Sequence, residues 1–297
     1  GRTAYPTRKL QHRPLPTMHQ RQTMHRLSTA FLGLLLLSVT AVRPAVAQNG
    51  SPFQVTHAGR FQFVADYRFT QSKQAGIELE SMAQKLWSEL MIPDKRTPVR
   101  VYLFSTQKAF SRYVRQHIPT LTQADTNRTA MFLLRNGTPY IFAVATSELM
   151  LNLRHEFVHV LLNTSHENLP IWLDEGIAEF YETKDGRQQE FSQLLSRQNR
   201  LFWKPSIGRL ERLKTMSQLG IVEYAEGWSW VNLLMQGSTS SRQVIPRYLA
   251  DLRKGVQSPS ISERVAAAGI DAVGSWNQRY RSRRRRLATR PTSGAAK

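Results

Sequence analysis

Residues 151–163 read LNLRHEFVHVLLN, a run apolar around most of a helical circumference that nevertheless holds His155, Glu156 and His159. Leu151, Val158, Leu161 and Leu162 mark the helix for burial, and a buried imidazole without a partner is costly. Whatever fold the chain adopts must therefore carry polar partners for this helix into its interior. Residues four apart stack on one face, so His155 and His159 can aim at one point. Glu156 is turned about 100° from His155 around the axis and stands beside that point. Two neutral nitrogen donors and a neighbouring carboxylate able to take a proton from water are the parts of a hydrolytic zinc site.

The chain contains no cysteine, which removes thiolate metal sites, disulfides and cysteine nucleophiles. A third ligand must then be a carboxylate or another histidine. The stretch LPIWLDEGIAEFYE, 169–182, supplies carboxylates at Asp174, Glu175, Glu179 and Glu182 within a second apolar segment opened by Pro170. Glu175 and Glu179 share a helical face. One of the pair can bind a metal while the other accepts an N–H from a ligand histidine and fixes its orientation.

With 297 residues and no internal repeat, the chain is long enough for one sizeable core or two small ones. The first 47 residues hold seven Lys or Arg and no acid, an apolar run at 31–42 and then Ala45-Val46-Ala47. That is the pattern of a secretory leader, and the run is shorter than the roughly 20 residues a spanning helix needs. Export to a periplasmic or extracellular location is expected, with a membrane tether as the alternative.

Residues 279–297 carry eight basic groups and no acid, whereas 48–278 carry 26 basic and 21 acidic groups, a net of only +5. The basicity is thus concentrated at the end. That tail reads as a solvated terminus able to contact an anionic envelope surface, and nucleic acid is the weakest of its readings.

Periodicity orders the rest. FQVTHAGRFQFVADY alternates about Gly59 as a hairpin would. Residues 74–91 carry Ile77, Leu79, Met82, Leu86, Leu90 and Met91 at helical spacing. VRVYLF (99–104) reads as a buried strand, and Ser105 as the N-cap of a following helix. TAMFLL and YIFAVA read as strands joined at Asn136-Gly137. Helices are expected over 147–165, 171–184, 189–199, 221–236, 241–253, 261–268 and 271–286. The fold class is α+β: a small mixed sheet with helices over 48–146, then a mainly helical half over 147–278. His57, His117 and His166 read as surface or capping residues, Trp87, Trp203, Trp228, Trp230 and Trp276 as packing anchors, and Arg154 as a local ion-pair partner.

HEFVH followed by WLDEGIAEF resembles the gluzincin branch of the zincin metallopeptidases, and is closest to the bacterial exported peptidase-MA-like proteins. The resemblance implies a zincin-like fold, a Zn2+ ion on His155, His159 and Glu175, and Glu156 as general base. It also implies that Glu179 orients a histidine and that Glu182 supports it. It implies a peptide or protein substrate.

Fifteen residues separate His159 from Glu175, fewer than in the aminopeptidases of that branch. No Gly-x-Met-Glu-Asn segment precedes the histidines to clasp a free amino terminus, so endopeptidase action, or action on a narrow substrate, is the expectation. The resemblance also implies that Tyr224, opening the helix EYAEGWSWVNLL, stabilises the oxyanion, with an interfacial aromatic as the alternative. YIFAVA is expected to pair with an extended substrate. A reading from another class is an envelope module that binds a protein or cell-wall partner with little or no activity.

Overall fold

Gly59 takes a positive φ of 59° between β1 (Gln54–Ala58) and β2 (Phe61–Ala65), a conformation that glycine adopts without steric cost. The hairpin expected around it is present. The computed structural model describes residues 53–122, 126–182, 185–200, 203–256 and 258–279. The leader expected over 1–47, and the tail from 280 onward, lie outside these residues.

Three further strands complete a mixed sheet: β3 (Val99–Phe104), β4 (Ala130–Arg135) and β5 (Thr138–Val144). Their order is β1-β2-β3-β5-β4. The central pairs β2–β3 and β3–β5 are parallel, and the outer pairs are antiparallel. Parallel neighbours need a crossover, which α1 (Ser72–Leu90) supplies between β2 and β3, and α2 (Gln107–His117) with β4 supplies between β3 and β5. At the β4–β5 turn Asn136 and Gly137 both have positive φ, 48° and 73°, as a two-residue type I′ hairpin demands.

Alternation along the strands divides the core. Phe61, Phe63, Val101, Leu103, Phe132, Ile141 and Ala143 face α1 and the helical half, while Val64, Tyr102, Phe104, Met131 and Phe142 face α2. The helical half comprises α3 (Leu149–Ser165), α4 (Ile171–Glu182), α5 (Asp185–Arg200), α6 (Ile207–Leu210), a 3-10 turn (Met216–Gln218), α7 (Ile221–Met235), α8 (Thr239–Arg253), α9 (Ile261–Ala267) and a helix at 272–279. One apolar core runs continuously from the sheet into these helices. Among the described residues no helix is long and apolar enough to cross a membrane.

Several local expectations are corrected. α1 buries Leu79, Met82, Ala83, Leu86 and Leu90, and this stripe leaves Ile77, Trp87 and Met91 on the solvent side, with Trp87 61% exposed. Trp87 is therefore no core anchor, unlike Trp228, Trp230 and Trp276. The N-cap of α2 is Thr106, not Ser105: its Oγ1 accepts from the Ala109 N–H at 3.2 Å. Arg154 reaches across to α1 and pairs with Glu78 at 2.5 Å, a long-range contact in place of a local one. α6 and the 3-10 turn are too short for periodicity to announce.

β5 lies between β3 and β4, so both of its edges are already paired. Among the described residues the outermost strand on this side of the sheet is β4, which runs alongside α3.

Candidate metal centre

α3 is buried along most of its length, and α4 packs against it. His155 and His159, one turn apart on α3, bring their Nε2 atoms to 3.0 Å from each other. From α4, Glu175 places Oε2 at 3.5 Å from His155 Nε2 and 3.7 Å from His159 Nε2. All three residues are at most 2% exposed. A tetrahedral zinc with ligand bonds of about 2.0–2.1 Å spaces its donors about 3.3 Å apart. The triangle fits a single small cation, and the donor set of two imidazoles and one carboxylate suits zinc.

The far side of each ring is held as well. Glu182 Oε2 accepts from Nδ1–H of His155 at 2.7 Å, and Asp174 Oδ1 accepts from Nδ1–H of His159 at 2.9 Å. With the proton on Nδ1, Nε2 keeps its lone pair for a cation. Asn163 Nδ2 donates to the His159 carbonyl at 2.9 Å and to Asp174 Oδ2 at 3.3 Å, which ties the two helices together at this point.

The orienting role expected of Glu179 thus falls to Glu182 and Asp174. Two rings one turn apart along α3 draw their partners from opposite ends of α4, not from the turn that follows Glu175. Glu179 remains in the site: it forms a second buried group with His155 and Glu182, whose donor atoms lie within 4.8 Å of one another. Asp174, named in the sequence among the four carboxylates, had no role there because its neighbour Glu175 drew attention to the spacing of four. Its position one residue ahead of Glu175 was the available signal.

Glu156 is 3% exposed on α3. Burial opposes charge on His155, but hydrogen bonds with Glu175 and Glu182, and the charges of Glu182 and Glu156, outweigh it and hold the ring's pKa well above its ordinary value. A proton and a metal compete for the same nitrogen. The field that favours imidazolium therefore also favours a cation at Nε2.

α7 crosses α4 at two glycines. A Cβ on Gly176 would lie 2.8 Å from the Gly227 carbonyl oxygen, and one on Gly227 would lie 3.0 Å from the Trp172 carbonyl oxygen. The glycine that follows Glu175 is thus required by close helix packing. Tyr224 stands three residues before Gly227, half-buried in the first turn of α7 and packed on the apolar core. It belongs to the helix that crosses α4, and the donor triangle does not include it.

Glu226, also unforeseen, is fully buried next to that crossing. It accepts from the Ser206 N–H at 2.6 Å and pairs with Arg209 of α6. Burial raises its pKa to about 7 against those attractions.

No protein-family model matches the chain, and no curated protein matches it.

Proposed function

We propose that the protein is a zinc-dependent peptidase with a zincin-like fold, of the gluzincin type, exported from the cell that makes it. The observation that carries this reading is the triangle of His155 Nε2, His159 Nε2 and Glu175 Oε2, with edges of 3.0, 3.5 and 3.7 Å. A structural zinc has no use for an additional base and fills its fourth position with protein. Here three donors converge and Glu156 is buried beside them.

His155, His159 and Glu175 would hold the ion, with Asp174 and Glu182 fixing the two rings. Zinc, when bound, supplies Lewis acidity toward water and toward a carbonyl group. Glu156 takes the proton from the attacking water and returns it to the departing amine, the two halves of general acid–base catalysis by one carboxylate. Tyr224, on the helix that crosses α4, is the proposed donor to the oxyanion. An extended peptide adds to β4, the outermost described strand on this side of the sheet, where main-chain hydrogen bonds fix its position and leave its side chains to set specificity.

Glu156→Gln tests the reading. The variant is expected to bind one zinc with unchanged affinity and to lose cleavage of casein or a peptide library by about 10²–10⁴-fold. Equal turnover by variant and wild type refutes the peptidase reading. Stoichiometric zinc with no turnover in either protein replaces it with that of a binding module.

A further inference from the structure

The two oxygens of Asp174 face different groups. Oδ1 accepts the Nδ1–H of His159 at 2.9 Å, and Oδ2 accepts from Asn163 Nδ2 at 3.3 Å. The same Nδ2 donates to the His159 carbonyl, four residues back along α3, at 2.9 Å. A backbone carbonyl only accepts, so the NH2 end of the Asn163 amide has to face it, and that bond fixes which way round the amide stands. Both hydrogens of the nitrogen are then used, one along α3 and one across to α4.

This fixes what Asn163 can offer its neighbour. It presents a donor to residue 174 and no acceptor. The Cβ–Cγ torsion of an aspartate is broad, so a single bond to an imidazole leaves the carboxylate plane free to swing. A second bond, to the other oxygen, pins the plane with Oδ1 toward the ring. Asp174 is 4% exposed and Asn163 is half-buried, and in such surroundings a connected polar network holds its members more firmly than in water.

We propose that Asn163 is a positioning residue of the metal centre: its amide dictates which end of residue 174 faces His159, and through Asp174 it keeps that ring's Nε2 lone pair directed at the cation. The proposal rests on reading the α3–α4 triangle as a metal site, and on nothing about the reaction performed there. The competing account is a plain staple between two helices. A staple contributes stability but is indifferent to whether residue 174 shows the ring an oxygen or an NH2 group.

Zinc affinity, measured on the full chain by competition with a chromogenic chelator, separates the two accounts. Asn163→Leu, similar in volume at a half-buried position, is expected to weaken zinc binding about tenfold when Asp174 is intact. In an Asp174→Asn background the sign reverses. There Asn163 still requires an acceptor, takes the oxygen of the new amide and leaves the NH2 end against the Nδ1–H of His159. Adding Asn163→Leu lets that amide turn over, so zinc binding is expected to strengthen, about threefold. Adding Asn163→Asp instead gives the NH2 end an acceptor and is expected to strengthen it likewise.

Thermal melts of the metal-free proteins report any structural cost separately. Should Asn163→Leu fail to fold, Asn163→Ala carries the same comparison. Losses of equal size in both backgrounds make Asn163 a staple and overturn the proposal, as does unchanged affinity in Asn163→Leu alone. A wild type that takes up no zinc removes the metal reading and the proposal together, whereas additive losses in a zinc-binding protein remove the proposal alone.

Discussion

Gly176 and Gly227 meet where α4 crosses α7, so close that a methyl group on Gly176 would stand 2.8 Å from the Gly227 carbonyl oxygen and 2.9 Å from its carbon. Backbone cannot yield as a flexible side chain can. Gly176→Ala must push the helices apart, and Glu175, the residue before it, moves with α4. The expected cost is roughly 1–3 kcal/mol of stability together with weaker zinc binding. Gly208→Ala in α6 is the control, since the nearest atom to its added carbon is Arg212 Nη1 at 4.0 Å. Thermal melts with and without zinc separate the two. A Gly176→Ala protein that melts and binds as the wild type would show that the crossing is looser than described.

The hydrogen bonds from His155 to Glu182 and from His159 to Asp174 make a second expectation. Glu182→Gln and Asp174→Asn should each weaken zinc binding about 10–100-fold, because an amide of the same size accepts less strongly and can present the wrong end to the ring. Glu179→Gln, at a position that the Nδ1 protons do not use, should weaken it less. Competition against a chromogenic chelator ranks the three. If Glu179→Gln proves the most damaging, Glu179 rather than Glu182 orients His155.

The sequence disclosed the donor triangle more fully than its surroundings. A spacing of four on an apolar helix has one geometric meaning, so His155 and His159 could be paired without coordinates, and Glu175 followed from the second motif. The α3, α4 and α7 spans were legible to within a few residues for the same reason, sustained apolar periodicity. What escaped depends on how elements approach one another. Nothing local distinguishes Asp174 from Glu179 as a partner for a histidine, because the choice is made by the relative placement of α3 and α4. The paired state of β5 was hidden because strand order is a property of the whole sheet. Trp87 was misread because aromatic character was weighed ahead of its place one residue outside the buried stripe of α1.

His166, the C-cap of α3, predicts a stability loss in acid. It is 4% exposed, donates from Nδ1 to the Leu162 carbonyl at 3.0 Å and accepts from Arg253 Nη1 at 3.1 Å. Burial first, and then the charges of Arg253 and Lys95, lower its pKa to about 4. The unfolded chain takes up a proton near pH 6.5 and the folded one does not, so the contribution is intact above 6.5 and is lost as the pH falls toward 4. By linkage the loss is about 2 kcal/mol at pH 5 and about 3 kcal/mol at pH 4. Urea unfolding of the wild type and of His166→Gln at pH 7.5 and 5.0 checks it. The variant starts less stable and should fall less, and parallel declines would remove His166 as the cause.

Glu226 predicts the opposite slope. Its carboxyl is fully buried and paired with Arg209, which also reaches Glu223 at 2.8 Å, and its pKa stands at about 7. Arg209→Met removes the cation but leaves the Ser206 N–H and the α6–α7 packing in place. The carboxyl then holds its proton to higher pH still. A group whose folded pKa is raised is best tolerated below its unfolded pKa, and the fold loses stability as the pH rises through the folded value. Above that value the variant must either bury an unpaired carboxylate or unfold locally, at a cost of roughly 3–5 kcal/mol. Urea midpoints at pH 5.5 and 8.5 should therefore diverge more in Arg209→Met than in the wild type. Adding Glu226→Gln to that background removes the titrating group and should flatten the profile. An equal loss at both pH values in Arg209→Met would mean that Arg209 acts by packing over Trp203, whose ring lies 5.9 Å from its guanidinium, and not by charge.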